Sequence, residues 1–259
     1  MTPQAIGISS LACALFFSTA GVSADDPQAP NSTLSKIFSA EQIKAIEGIF
    51  EKLLKSKPEI IEDTLKQSAI NKETAKQERL KQVIAENKEA LFNDPDSPVG
   101  GNKNGKTNLV VFLDPFCGYC HRFHAILQEV SAQDKDLRII YKDIGILGEE
   151  SKQAVQEVMA AQRQGKYTEY QDALRKANAD SRAVRLGIAE AVGINVDRLQ
   201  QDVDSKPVRD AIARTEKLAQ KLELQGTPAF VVGNIFVGGM VDAKMLAQIL
   251  EQVRKGTAA

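Results

Sequence analysis

Two cysteines and two histidines crowd into DPFCGYCHRFH, residues 114–124: Cys117, Cys120, His121 and His124. Three chemistries share those residue types. Cys-x-x-Cys-His is the spacing at which haem is attached covalently, two thiolates with two imidazoles form a zinc ligand set, and Cys-x-x-Cys after an apolar strand is a redox dithiol. A haem carrier needs a second axial ligand and an enclosing pocket. His121 and His124 are the two histidines of the chain, which leaves Met159, Met240 and Met245 as further candidates. A tetrahedral zinc ion is hard to surround from one short helical stretch. The flanking pattern favours the dithiol. TNLVVFLD reads as a buried strand, FHAILQEVSAQ as a helix and DLRIIYKDI as a second strand, a β-α-β unit with the cysteines at the start of its helix. Backbone N–H groups and the helix dipole favour negative charge there, which suits Cys117 as the attacking thiolate. Cys120 follows one turn deeper on the same side and is placed to resolve a mixed disulfide on Cys117.

The cysteine count supports a chemical role. The third cysteine, Cys13, falls in the first 24 residues, an uncharged segment with the apolar run AIGISSLACALFFSTAGV and small residues before Asp25. That segment reads as a signal peptide cleaved after Ala24, although the usual basic residue near the start is missing. The mature chain would keep Cys117 and Cys120 alone in an oxidising compartment. A bridge across two residues closes almost no loop, so it adds little as a staple. With 33 basic and 34 acidic side chains the chain carries no footprint for nucleic acid.

Around the dithiol the elements order as follows. Residues 25–38 read as a flexible leader and residues 39–92 as a helical region. Ile43, Ile46, Phe50 and Leu53 make an apolar stripe, Lys57-Pro58 breaks it, and a long charged helix runs to about Leu91. Leu80, Ile84 and Leu91 keep a heptad-like seam. These stripes are expected to meet copies of themselves, a homo-oligomer through residues 39–91, rather than to pack on the following domain. NDPDSPVGGNKNG, residues 93–105, reads as a linker. Residues 106–259 are the catalytic domain, with a helical insertion over about 149–222 broken near Gly165, Asp180, Gly193 and Pro207. PAFVV and IFVGG follow as strands separated by Gly233-Asn234, then a helix from about Asp242 to Lys255. Thr227-Pro228, before AFVV, sits where a thioredoxin fold carries a cis-proline loop, against the dithiol, and the backbone of Thr227 would pair with an extended substrate. Asp114 is expected to shape the turn before Cys117, with proton transfer to the inner thiol as the sharper alternative. Tyr119 either contacts substrate or covers the cysteines.

DPFCGYC, YKDIGILGEES and GTPAF together resemble the DsbA-type thiol:disulfide oxidoreductases, thioredoxin folds with a helical insertion. CGYCHRFH is similar to the active site of the disulfide isomerase DsbC, and the helices with LFNDPDSPVGGNKNG resemble the ScsC and Com1-like branch. The resemblance implies an α/β thioredoxin fold preceded by an N-terminal helical oligomerisation arm, in the periplasm of a Gram-negative bacterium. It implies a Cys117–Cys120 redox disulfide, flanked by Gly118, Tyr119 and His121 and faced by Thr227 and Pro228, with no cofactor and no metal. The implied partners are unfolded or misdisulfided secreted proteins, a DsbD-like reductant or DsbB-like oxidant in the membrane, and further copies of the chain as a dimer or trimer. Pro-His between the cysteines of the oxidase helps stabilise its reduced form. Gly118-Tyr119 supplies no cation there, so the expectation is an isomerase with oxidase activity alongside. A DsbA-like oxidase and a copper-binding protein using the two thiols are the alternatives.

Overall fold

The computed structural model describes residues 37–256 apart from 178 and 180. The expected signal peptide, Cys13, most of the 25–38 leader and the break at Asp180 lie outside the described residues. The chain divides into two compact units, one ending at Gln67 and one beginning at Ser68.

The first unit is helical. Ser39 caps α1 (Ala40–Ser56) with a reciprocal capping box: its hydroxyl accepts from Gln42 N, and Gln42 Oε1 accepts from Ser39 N at 2.8 Å. Lys57 and Pro58 end that helix, and α2 (Glu59–Glu86) begins directly after them. No residue of α1 is buried, and Ile46, Ile49, Phe50 and Leu53 stand exposed.

The second unit is built on a five-stranded sheet of order β1-β3-β2-β4-β5: β1 (Val99–Gly101), β2 (Thr107–Leu113), β3 (Leu137–Asp143), β4 (Ala229–Val232) and β5 (Ile235–Gly238). β2 and β3 run parallel, joined by α4 (Gly118–Gln133), and the other pairings are antiparallel. The helical insertion holds α5 (Glu149–Gln162), α6 (Tyr167–Lys176), α7 (Arg182–Ala191), α8 (Val196–Asp202) and α9 (Lys206–Lys221), and α10 (Ala243–Arg254) closes the domain. Pro207 lies in the first turn of α9, where its missing N–H costs nothing, rather than between helices.

Strand alternation divides the core. Leu109, Val111, Leu113, Ile139 and Phe230 face α4, α10 and the insertion, and Phe123 of α4 stacks on Phe230 at 5.6 Å. Val110, Phe112, Ile140 and Val231 face the other way. That second face corrects one expectation. Leu80 and Ile84 of α2, and Leu91 of α3 (Lys88–Phe92), are buried on it within the chain and are not free for a copy. Their spacing suits a sheet as well as a coiled coil, and the sheet lies nearer. The long helix also stops earlier than expected, at Asn87, whose amide bonds Val83 O at 2.7 Å while its Oδ1 accepts from Lys221 Nζ at 2.6 Å.

The expected linker is corrected as well. Val99–Gly101 pairs with Arg138–Ile140 as an edge strand. Gly101 holds φ +64 and a Cβ there would meet Leu137 O at 2.6 Å, so only glycine fits. Just before it, Asp94 takes Lys142 Nζ at 2.9 Å and Arg214 Nη2 at 3.1 Å. Lys142 sits at 1% exposure in the middle of the sheet. An ammonium that deep requires a counter-charge, and Asp94 provides it.

Candidate active site

The end of β2 and the start of α4 set the geometry. Asp114 Oδ1 accepts from Phe116 N at 2.8 Å and Ser151 Oγ at 2.5 Å, and Oδ2 accepts from Ile146 N at 2.8 Å and Leu147 N at 3.2 Å. A carboxylate with four donors is a structural clamp. It pins the turn before the cysteines to the start of α5. The three partners beyond Phe116 lie more than thirty residues downstream, and no local sequence signal announces them.

Cys117 follows as the N-cap of α4. Its Sγ accepts from Cys120 N at 3.3 Å, and its S–H donates to Thr227 O at the same distance. The Thr227–Pro228 peptide bond is cis. Thus two segments 110 residues apart meet at one sulfur. The two sulfurs are unbridged, and both cysteines are buried, Cys117 at 7% and Cys120 at 2% exposure. The outer sulfur is therefore less open than its place at a helix start suggests, yet it is the more open of the two. Burial pushes the Cys120 thiol up to about 12, with the neighbouring Thr227 hydroxyl and Asp114 backbone pulling the other way. Thr227 Oγ1 is itself buried with no hydrogen-bond partner of ordinary geometry.

The other expected site residues divide. Gly118 opens α4. Tyr119 stands 59% exposed with the Arg122 guanidinium 4.3 Å from its ring centroid. His121 turns back, its Nε2 bonding Pro115 O at 2.7 Å. His124 points into the core, where burial, then Arg175 and His121, push its imidazole down to about 3 and keep it neutral. The two imidazoles thus belong to different surroundings from the sulfurs. Among the described residues no cluster of three or more metal-ligating side chains is present. Ile146 and Leu147, both exposed, add apolar surface beside the dithiol turn.

Fold and dithiol together define the class: thioredoxin-fold thiol:disulfide oxidoreductases. Residues 108–251 match the family model described as the DSBA-like thioredoxin domain, more than half of the chain, and the chain belongs to that family. Among solved structures, a thioredoxin-like oxidoreductase from Silicibacter pomeroyi DSS-3 is 38% identical, covering 65% of this chain and 98% of that one, with a TM-score of 0.63. Proteus mirabilis ScsC in a transitional conformation is 27% identical over 85% of this chain and 99% of that one, TM-score 0.61. A curated relative, the Na(+)/H(+) antiporter NhaA of Herminiimonas arsenicoxydans, is 26% identical over 172 residues, 63% of this chain; the chain spans 27% of that protein's length.

Proposed function

We propose that the chain is a periplasmic disulfide isomerase, exported through residues 1–24, that reshuffles substrate disulfides through a mixed disulfide on Cys117. The Cys117 thiolate attacks a substrate disulfide. A bond forms between Cys117 and one substrate sulfur, and the other sulfur leaves as a thiolate. That freed thiolate attacks a different substrate disulfide, and a returning substrate thiolate displaces Cys117, with no net oxidation. Attack by Cys120 on Cys117 is the competing exit; it releases reduced substrate and leaves the Cys117–Cys120 disulfide.

The observation that carries this reading is what surrounds Cys117 Sγ. It receives one backbone N–H, from Cys120, while His121 is engaged with the Pro115 carbonyl. A strong oxidase needs its reduced thiolate heavily stabilised, and a single amide does little of that. The high pKa of Cys120 works in the same direction, because a slow inner thiol prolongs the mixed disulfide in which reshuffling occurs.

Assembly through the exposed apolar face of α1 would place several dithiols around one substrate. Partners are misdisulfided secreted proteins and a DsbD-like membrane reductant. The reading is tested with scrambled ribonuclease. Reduced full-length protein is expected to restore its activity. A protein lacking residues 39–67 is expected to run as a monomer and lose that activity while still exchanging with a small disulfide. The truncation stops at Gln67 because Leu80, Ile84 and Leu91 belong to the core. A monomeric full-length protein with a potential near about −120 mV, the value of a strong oxidase, would refute the proposal in favour of a DsbA-like oxidase.

A further inference from the structure

The start of α4 carries a cation that the exchange chemistry leaves unused. Tyr119, between the two cysteines, and Arg122 lie three residues apart, so they share one face of the helix. Both are exposed, and the Arg122 guanidinium lies over the Tyr119 ring, 4.3 Å from its centroid. Helical side chains lean toward the N-terminus of their own helix. The ring contact shows that Arg122 does so, and its charge is held at the dithiol end of α4.

The carboxylates around that end are already engaged or lie away from it. Asp114 is buried with four donors, Glu149 pairs with Lys152 at 3.5 Å, and Glu150 pairs with Arg185 at 2.8 Å. Glu129, the one acid of α4, comes seven residues after Arg122, about 10 Å farther along the helix axis. Arg122 makes no ion pair and no side-chain hydrogen bond among the described residues, although a guanidinium carries five N–H donors. The exposed face of the motif thus presents an unmatched positive charge whose position the ring fixes. Cys117 precedes Arg122 by five residues, about 7.5 Å of helix axis, and the side chain leans back across part of that distance. An extended peptide advances about 3.3 Å per residue, so a side chain two residues from a cysteine bonded to Cys117 comes within reach.

We infer that Arg122, held on Tyr119, is a specificity-determining residue that favours polypeptides carrying a carboxylate two residues from the reacting cysteine. This rests on the thiol-exchange reading above and deepens it by naming which segments exchange fastest. Arg122 contacts the substrate away from the sulfurs and takes no part in the bond exchange.

The test uses the reduced full-length protein and two synthetic peptides, each with one cysteine joined by a disulfide to 2-mercaptoethanol, an uncharged partner. One peptide carries Asp two residues to either side of the cysteine, and the other carries Lys there. Cys117 forms a disulfide with one of the two sulfurs and the other leaves as a thiolate. Cys120 then closes the Cys117–Cys120 bond and releases the second sulfur. The readout is the ratio of the two second-order rate constants, in which any change of Cys117 reactivity common to both peptides cancels. Wild type is expected to favour the Asp peptide by about fivefold, the upper end of what one exposed ion pair supplies, and less in high salt. Arg122→Glu should invert the preference. Tyr119→Leu keeps the charge but removes the ring that fixes it, and should lower the ratio to about twofold. Lys103→Glu makes the same change of net charge in the turn before β2, at the other end of that strand from the dithiol, and should leave the ratio at its wild-type value. A ratio unchanged in Arg122→Glu, or moved equally far by Lys103→Glu, overturns the inference and leaves the exchange reading standing. Wild-type protein that exchanges with neither peptide overturns both.

Discussion

The inner sulfur gives the sharpest quantitative prediction. Burial raises the Cys120 thiol from an ordinary 9.0 to about 12. A raised thiol pKa means less thiolate at neutral pH, so resolution of a mixed disulfide slows there. At pH 7 the thiolate share falls from roughly one part in 10² to roughly one part in 10⁵. The thiolate that does form is more nucleophilic; with a Brønsted slope near 0.45 that returns about twentyfold. The net expectation is resolution about fortyfold slower than by an unperturbed thiol, combining both effects. The assay is the reaction of reduced protein with an aromatic disulfide that releases coloured thiolate. Cys117 releases the first equivalent on forming a mixed disulfide, and Cys120 releases the second on closing the ring. The second phase should rise about tenfold per pH unit from roughly pH 6 to pH 9 without levelling, as a thiolate fraction does below its pKa. It should vanish in Cys120→Ala while the first phase persists. A second phase that levels off below about pH 9 would refute the reasoning, because the inner thiol would then titrate as though it were solvated.

Three further outcomes follow from the same geometry. Thr227→Val removes a buried hydroxyl with no good partner and the one side chain that eases ionisation of Cys120; the second phase should slow a few-fold while urea unfolding shows stability unchanged or higher by about 1 kcal/mol. Asp94→Ala leaves Lys142 buried without its counter-charge, and chemical denaturation should register a loss of about 3–5 kcal/mol. Burial raises Asp143 from 3.8 to about 6, against bonds from Tyr167 and Gln171 that favour the ionised form. Because the folded value lies above the unfolded one, its stabilising contribution is full below about pH 4 and is lost as pH rises through 6. Asp143→Asn stays neutral, so its stability relative to wild type, followed by urea midpoints, should climb by about 3 kcal/mol between pH 4 and 7 and then flatten.

The sequence declared some of these features and hid others for physical reasons. The β-α-β unit and the closing β-β-α were legible because TNLVVFLD, DLRIIYKDI and AFVV are unbroken apolar runs between turn residues, and Asp242 is a plain helix cap. Val99–Gly101 escaped because three residues, two of them glycine, carry no period. Leu80, Ile84 and Leu91 were visible as a seam, but a seam does not say what covers it. Lys142 inside IIYKD was a missed signal: a lysine amid a buried strand demands an acid from elsewhere, and Asp94 in the supposed linker was the candidate. The cysteines could be placed at the head of α4 from spacing alone. The direction of His121 and the clamp at Asp114 depend on carbonyls and amides whose positions only the folded backbone reveals.

Tyr119 offers a practical handle. The chain contains no tryptophan, so ultraviolet emission from the indole ring is absent throughout. Tyr119→Trp would install a single indole on the solvent side of the motif, with Arg122 still able to stack against it. Two residues from one sulfur and one from the other, that lone fluorophore would dim or brighten as the bridge opens and closes, making each turnover visible without a label.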